Sequence, residues 1–300
     1  MEIVLVILKQ VIIMLALMFV GFAMFKTGKI TLNGSKTLAN LLIYVILPAV
    51  IVNGFITDRS REKIIGLFIS ACLAIVCLAI SIVISRIIFK SNPIESFSAS
   101  FSNPGFFGIP IIIAAYDKNS VFYVAAFIAF LNIAQWTYGV ALITGNNKKI
   151  KVGNILFSPF MIGLAMGLII FLTQIKLPSV ITGTIDTVCN ANTAVAMVLL
   201  GTYLAQSDIR KMFTTSRLYL VSVVRLIVIP AVCMCVLSII GKGMLQLKVC
   251  IMIAAACPVG ANVAVYAQLY DKDYEYAVQS VTLSTLLSVL TLPFIVWLLQ

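Results

Sequence analysis

The chain has 300 residues, 62% of them hydrophobic and only 10% charged, with a mean hydropathy of +1.12. Water-soluble domains carry roughly a quarter charged residues, so this composition excludes an ordinary soluble globule. The net charge of +11 does not point to a nucleic-acid partner, because Lys and Arg gather in short polar connections between apolar runs.

A hydrocarbon core about 30 Å thick needs roughly 20 apolar helical residues to cross it, and unpaired backbone excludes irregular structure in lipid. Polar punctuation cuts the chain into ten such segments: 3–25, 36–56, 64–89, 95–116, 121–143, 153–173, 180–205, 217–240, 247–270 and 275–299. The first is too long for a signal-peptide core and lacks a small-residue cleavage site before Lys26, so it is expected to stay as a span. No soluble domain is expected at either end. The alternation of a lipid-facing β-barrel is absent.

Several spans carry polar or helix-breaking residues. The second holds Pro48 between Tyr44 and Asn53, and the fourth is interrupted by Asn103-Pro104-Gly105-Phe106-Phe107-Gly108-Ile109-Pro110. The fifth holds Asn132 and Gln135, and the seventh holds Asp186, Asn190, Asn192 and Thr193. The eighth holds Arg225, and the ninth is interrupted by Cys257-Pro258-Val259-Gly260-Ala261-Asn262. The seven cysteines lie in or near apolar runs, with no CxxC and no histidine anywhere. Neither a zinc site nor a disulfide framework is expected, and no cofactor.

Ten spans place both termini on one side. Connections after odd-numbered spans carry twelve Lys and Arg, from Lys26 to Lys272, and the opposite side carries eight. Positive charge favours the cytoplasm, so both termini are expected outside a cell membrane.

An offset of 154 residues maps Pro258 onto Pro104 and Tyr270-Asp271-Lys272 onto Tyr116-Asp117-Lys118. A second correspondence, at a different offset, pairs Gly21 and Phe25 with Gly167 and Phe171 in spans one and six. Read as a repeat, the chain divides at 1–145 and 151–300 into two five-helix units. Five is odd, so the second unit enters the membrane inverted. Matched helix breaks in inverted repeats mark secondary transporters; a packing kink is the competing reading of either break alone.

Proline removes an N–H and clashes with the carbonyl four residues back, and glycine adds freedom at the same place. A broken helix restarts mid-membrane with unpaired N–H groups and the positive end of its dipole, which favours an anion such as a carboxylate. The candidate substrate-binding set is therefore Asn103, Pro104, Gly105, Pro258, Gly260 and Asn262. Either asparagine could instead simply cap its half-helix. Tyr44, Pro48, Asn53, Asn132, Gln135, Asn192 and Thr193 form a secondary set, for which interhelical hydrogen bonding is the alternative. Asp186 and Arg225 each lie about two turns from a span end, where snorkelling or an interfacial position stands against a coupling role, and neither is assigned one.

These features together resemble the auxin efflux carrier family of bacterial permeases and plant PIN-type carriers. The resemblance runs along the whole chain, through Lys26-Thr27-Gly28-Lys29-Ile30, Leu41-Leu42-Ile43-Tyr44-Val45-Ile46-Leu47-Pro48, Asn103, Gly108-Ile109-Pro110 and Pro258-Val259-Gly260-Ala261-Asn262. Leu283-Ser284-Thr285-Leu286-Leu287-Ser288 with Leu292-Pro293 completes it. It implies an all-α integral membrane fold similar to sodium/proton antiporters and the bile-acid symporter. In that fold spans four and nine are crossover helices, spans one, two, six and seven a scaffold, and spans three to five and eight to ten a moving core. It implies a substrate contact at Asn103, and the scaffold helices are the surface through which a homodimer would form. The long central loop of the plant carriers is missing, since only Gly145 to Lys151 joins spans five and six, and with it any basis for assuming auxin as substrate.

The expected function is secondary transport of small organic anions, monocarboxylates or dicarboxylates such as malate, by alternating access and in the direction of export. Sodium-coupled uptake on the same fold is the alternative, and a channel or sensor a further one. An enzyme is not expected: aspartyl intramembrane proteases need two membrane aspartates and only Asp186 is available, while serine and metal types need histidine. Gly34-Ser35-Lys36-Thr37 does not fit a phosphate-binding loop. With no histidine and no clear carboxylate beside the breaks, proton coupling lacks an obvious carrier, while sodium coordinated by unwound carbonyls and uniport both stay open; no coupling ion is assigned.

Overall fold

The structure, a computed structural model, describes residues 2–145, 153, 156–239 and 244–299. Helices α1 (Glu2–Lys26), α2 (Leu32–Phe55) and α3 (Arg61–Ile88) are followed by α4 (Pro93–Ser100) and α5 (Pro104–Ala115). Then come α6 (Lys118–Thr144), α7 (Pro159–Thr173), α8 (Ser179–Gln206), the short α9 (Ile209–Thr214) and α10 (Ser216–Ser238). Last are α11 (Leu245–Ala256), α12 (Asn262–Leu269) and α13 (Tyr274–Leu299). Among the described residues, seven helices are long and apolar enough to cross a membrane: α1, α2, α3, α6, α8, α10 and α13. Helices α5, α7 and α11 are shorter and also apolar. Most of the expected connection from Gly145 to Lys151, and the expected end of the eighth span at 240, lie outside the described residues.

Helix ends follow local chemistry. Thr31 and Ser60 accept hydrogen bonds from Gly34 N and Lys63 N, and Asn92 accepts from Ile94 N and Glu95 N ahead of Pro93. The distribution of polarity is inside-out. Phe68, Ile87 and Leu290 are exposed, whereas Ser81, Ser98, Gln279, Ser284 and Thr285 are buried. Lipid accepts the first group, and most of the second turn back on their own helix: Ser81 donates to Cys77 O, Gln279 to Glu275, and Ser284 and Thr285 to Val281 O.

Without a hydrophobic drive between helices, close approach depends on small residues. Gly21 of α1 packs against the Val198 backbone of α8, and Gly201 of α8 against the Met18 backbone of α1. Gly163 of α7 bears on the Pro48 backbone of α2 in the same manner, and Gly167 on the Phe55 side chain. Side-chain bonds identify the two ends of the bundle. At one end Ser35 meets Thr202, and Tyr274 donates to Gln206. At the other, Arg59 donates to Leu172 O, Gln246 to Ser120, and Lys118 to Asp186.

Four helices contain a widened, π-helical turn among the described residues: Leu42–Ile46, Pro104–Gly108, Gln135–Gly139 and Val224–Val228. Three stand just before Pro48, Pro110 and Pro230. The proline ring collides with the carbonyl four residues back, and widening that turn relieves the collision. Tyr44, Gln135 and Arg225 lie within such turns, and Asn103 precedes one.

Candidate functional site

Two helices stop and restart beside one another. Phe101 is extended after α4, and Asn103 before Pro104 leaves the helical region at φ −113° and ψ 57°, as the residue before proline must. Cys257 before Pro258 is likewise extended, at ψ 151°. The two segments pair as an antiparallel bridge between Ser102 and Val259. Gly260 N donates to Phe101 O at 2.8 Å, and Val259 N donates to Ser284 Oγ at 3.0 Å. Gly260 is required by this approach, because a Cβ there would stand 2.8 Å from Ser102 O.

Helices α5 and α12 restart from this crossover, and their first turns form the floor of a cavity of about 770 Å³. The floor includes Asn103, Pro104, Gly105, Gly260 and Asn262 of the primary candidate set, with Ser102 and Ala261. Pro258 is buried behind it and does not line it. The walls come from Tyr44 and Leu47 of α2, Asn132 and Trp136 of α6, Phe160 of α7 and Tyr266 of α12. The lining continues to Asn40, Pro159 and Leu269, so the cavity opens at the bundle end marked by Thr202 and Tyr274. No Asp, Glu, Lys or Arg lines it among the described residues.

Neither asparagine caps its half-helix. Asn103, 6% exposed, makes no side-chain cap bond, and its Nδ2 has no hydrogen-bond partner. Asn262 donates from Nδ2 to Gln135 Oε1 at 2.8 Å, while the buried Gln135 Nε2 is also unpartnered. Unpaired buried donors cost roughly 1–3 kcal/mol each, and two of them beside two helix N-termini suit an incoming acceptor.

The secondary candidates divide. Tyr44 and Asn132 line the cavity, and Gln135 reaches it through Asn262. Pro48 supports α7 through Gly163 instead. Asn192 is buried in α8 with both amide atoms unpartnered, and neither it nor Thr193 lines the cavity. Asn53 sits at the opposite end of the bundle, where its Nδ2 donates to Asp186 at 3.1 Å.

Asp186 stands where an interfacial reading places it, half-exposed and paired with Lys118 at 2.7 Å. Exposed pairs of this kind contribute about 0–1 kcal/mol. Asp186→Asn is therefore expected to lower stability by less than about 1 kcal/mol, checked by melting the purified protein in detergent. A loss several times larger would contradict a solvent-screened pair.

Arg225 corrects the sequence reading. Snorkelling to an interface does not occur: the side chain is 1% exposed and the largest fully buried one among the described residues. Its Nη1 donates to Ala99 O at 3.0 Å and Ser100 O at 3.2 Å, and its Nη2 donates to Ala255 O. These carbonyls belong to the last turns of α4 and α11, which α10 can reach because Arg225 lies halfway along it. The available signal was an arginine in the middle of an uncharged run, too deep for its stem to reach water.

A family model described as a membrane transport protein matches residues 6–156 and 152–296. An uncharacterized transporter from Methanocaldococcus jannaschii is 24% identical over 305 residues, covering 96% of this chain and 97% of its own length.

Proposed function

This chain belongs to the membrane transport protein family, the auxin efflux carrier-like group whose motifs it carries, and from that premise we propose that it is a secondary carrier of small organic anions. It is a multi-pass membrane transporter and not an enzyme. The observation that carries the anion reading is the crossover itself. Two helix N-termini, at Pro104 and Asn262, and the unpartnered amide of Asn103 share the floor of a cavity that has no acidic lining among the described residues. N-terminal dipoles and free donors favour a carboxylate there.

The remaining architecture is part of the same proposal. Ten spans, counting α4 with α5 and α11 with α12, form two inverted units, 1–145 and 151–300. Glycine-mediated contact of α1 with α8 and of α7 with α2 supports the inversion, since exchanging the units turns one pair into the other. Those four helices would be the scaffold, and through it a homodimer would form. The rest would move against it, exposing Asn103 and Asn262 to each side in turn. The open end of the cavity carries the richer positive connections, which supports its facing the cytoplasm of a cell membrane; export is the direction the family resemblance favours, and the gradients set it.

A thermal-shift screen of organic acids with and without sodium, followed by flux in liposomes on the best acid, tests this. Asn103→Ala is expected to weaken that acid about tenfold or more, the worth of one hydrogen bond to a charged group. Unchanged affinity and flux would remove the site. Failure to move any organic anion under any gradient would remove the carrier reading.

A further inference from the structure

Four helix ends meet at the crossover, with Arg225 beside two of them. Each helix carries about +0.5 charge at its N-terminus and about −0.5 at its C-terminus. The N-termini of α5 and α12 face the cavity, and the C-termini of α4 and α11 lie behind it. Left alone, two positive and two negative ends nearly cancel, and the crossover has little preference for either sign of ligand. Arg225 changes that balance. Its guanidinium bonds Ala99 O and Ser100 O of α4 and Ala255 O of α11 at once. One full positive charge offsets two C-terminal halves, leaving the N-terminal ends unopposed. Among the described residues no carboxylate competes for it: the titratable groups that bear on the guanidinium are the thiols of Cys233, Cys257 and Cys77.

We propose that Arg225 is the specificity-determining charge of this carrier, making the crossover select anions by neutralising the two helix C-termini without touching the substrate. The inference rests on the anion-carrier reading above. In the water-poor interior a unit charge acts over several ångströms with little screening, so contact is not required. A clasp that merely holds the two helices together predicts something different, because it depends on the forked geometry of the donors and not on their charge.

The test compares the best organic acid from the screen with its uncharged primary amide, measured as kcat/KM for uptake into liposomes. Wild-type protein is expected to favour the acid at least about tenfold. Arg225→Gln is expected to bring that ratio to within about twofold of unity, and Arg225→Lys to preserve it despite fewer donors. Cys257→Asp keeps the guanidinium and its bonds but adds a countercharge that the arginine holds ionised, so it too should erase the preference. That variant carries the test if Arg225→Gln does not fold. A folded, active Arg225→Gln or Cys257→Asp with the wild-type ratio overturns the inference, and so does an Arg225→Lys that loses the ratio completely. Failure of the underlying reading looks different: wild-type protein then moves neither compound, or both equally.

Discussion

Gly201→Ala is expected to destabilise the protein by about 3 kcal/mol or more, at the upper end of what overpacking costs. The added methyl would overlap the Met18 carbonyl oxygen and stand 2.8 Å from Phe22 N. Both obstacles are backbone, so no rotamer change relieves them and α1 must separate from α8. Gly21→Ala meets the same obstacle from the other helix, overlapping the Val198 carbonyl oxygen. Separation costs dispersion contacts along the whole crossing, and in lipid no hydrophobic gain returns them. Gly183→Ala, elsewhere in α8, finds nothing within 4 Å and should be neutral or stabilising by up to about 1 kcal/mol. Melting the three variants in one detergent decides the matter. If Gly201→Ala melts with wild type, the close crossing does not exist in solution.

Gly260→Ala should leave a folded protein that transports poorly, with substrate affinity down at least about tenfold. A Cβ there would stand 2.8 Å from Ser102 O and 3.2 Å from Phe101 O. The strain falls on the hydrogen bond from Gly260 N to Phe101 O, which sets the distance between the two half-helices. A binding constellation has to be held within about 0.5 Å, and the displaced strand carries Asn103 on one side and Asn262 on the other. Equal flux and affinity for Gly260→Ala and wild type would mean that this pairing does not hold the site.

Much of this was legible from the residues in order. Runs of apolar residues located the helices, because the choice between water and lipid depends on local composition. Pro104 and Pro258 marked the two interruptions, because a missing N–H and a steric clash act within one turn. Asn103 and Asn262 stood out as amides at those interruptions. The alternative that each caps its own helix could not be set aside without coordinates, which show Asn103 uncapped and Asn262 bonded to Gln135 in a different helix.

What escaped the sequence has a common cause. Arg225 was misread because distance along the chain to a polar residue says nothing about which helix ends lie beside it, and its partners are 126, 125 and 30 residues away. Asn53 neighbours Pro48 in sequence, yet it lies beyond it toward the opposite end of α2 from the cavity lining and meets Asp186 there. The sequence by itself determined that the chain lives in a bilayer and where its helices break, since hydropathy and proline act through the nearest few residues. The tertiary structure alone decided that the broken ends converge, that a buried cation sits behind them, and that the cavity opens at one end. Those outcomes depend on how closely Gly21, Gly163, Gly167 and Gly201 let distant helices approach, and packing of that kind is a property of pairs of surfaces that no single segment carries.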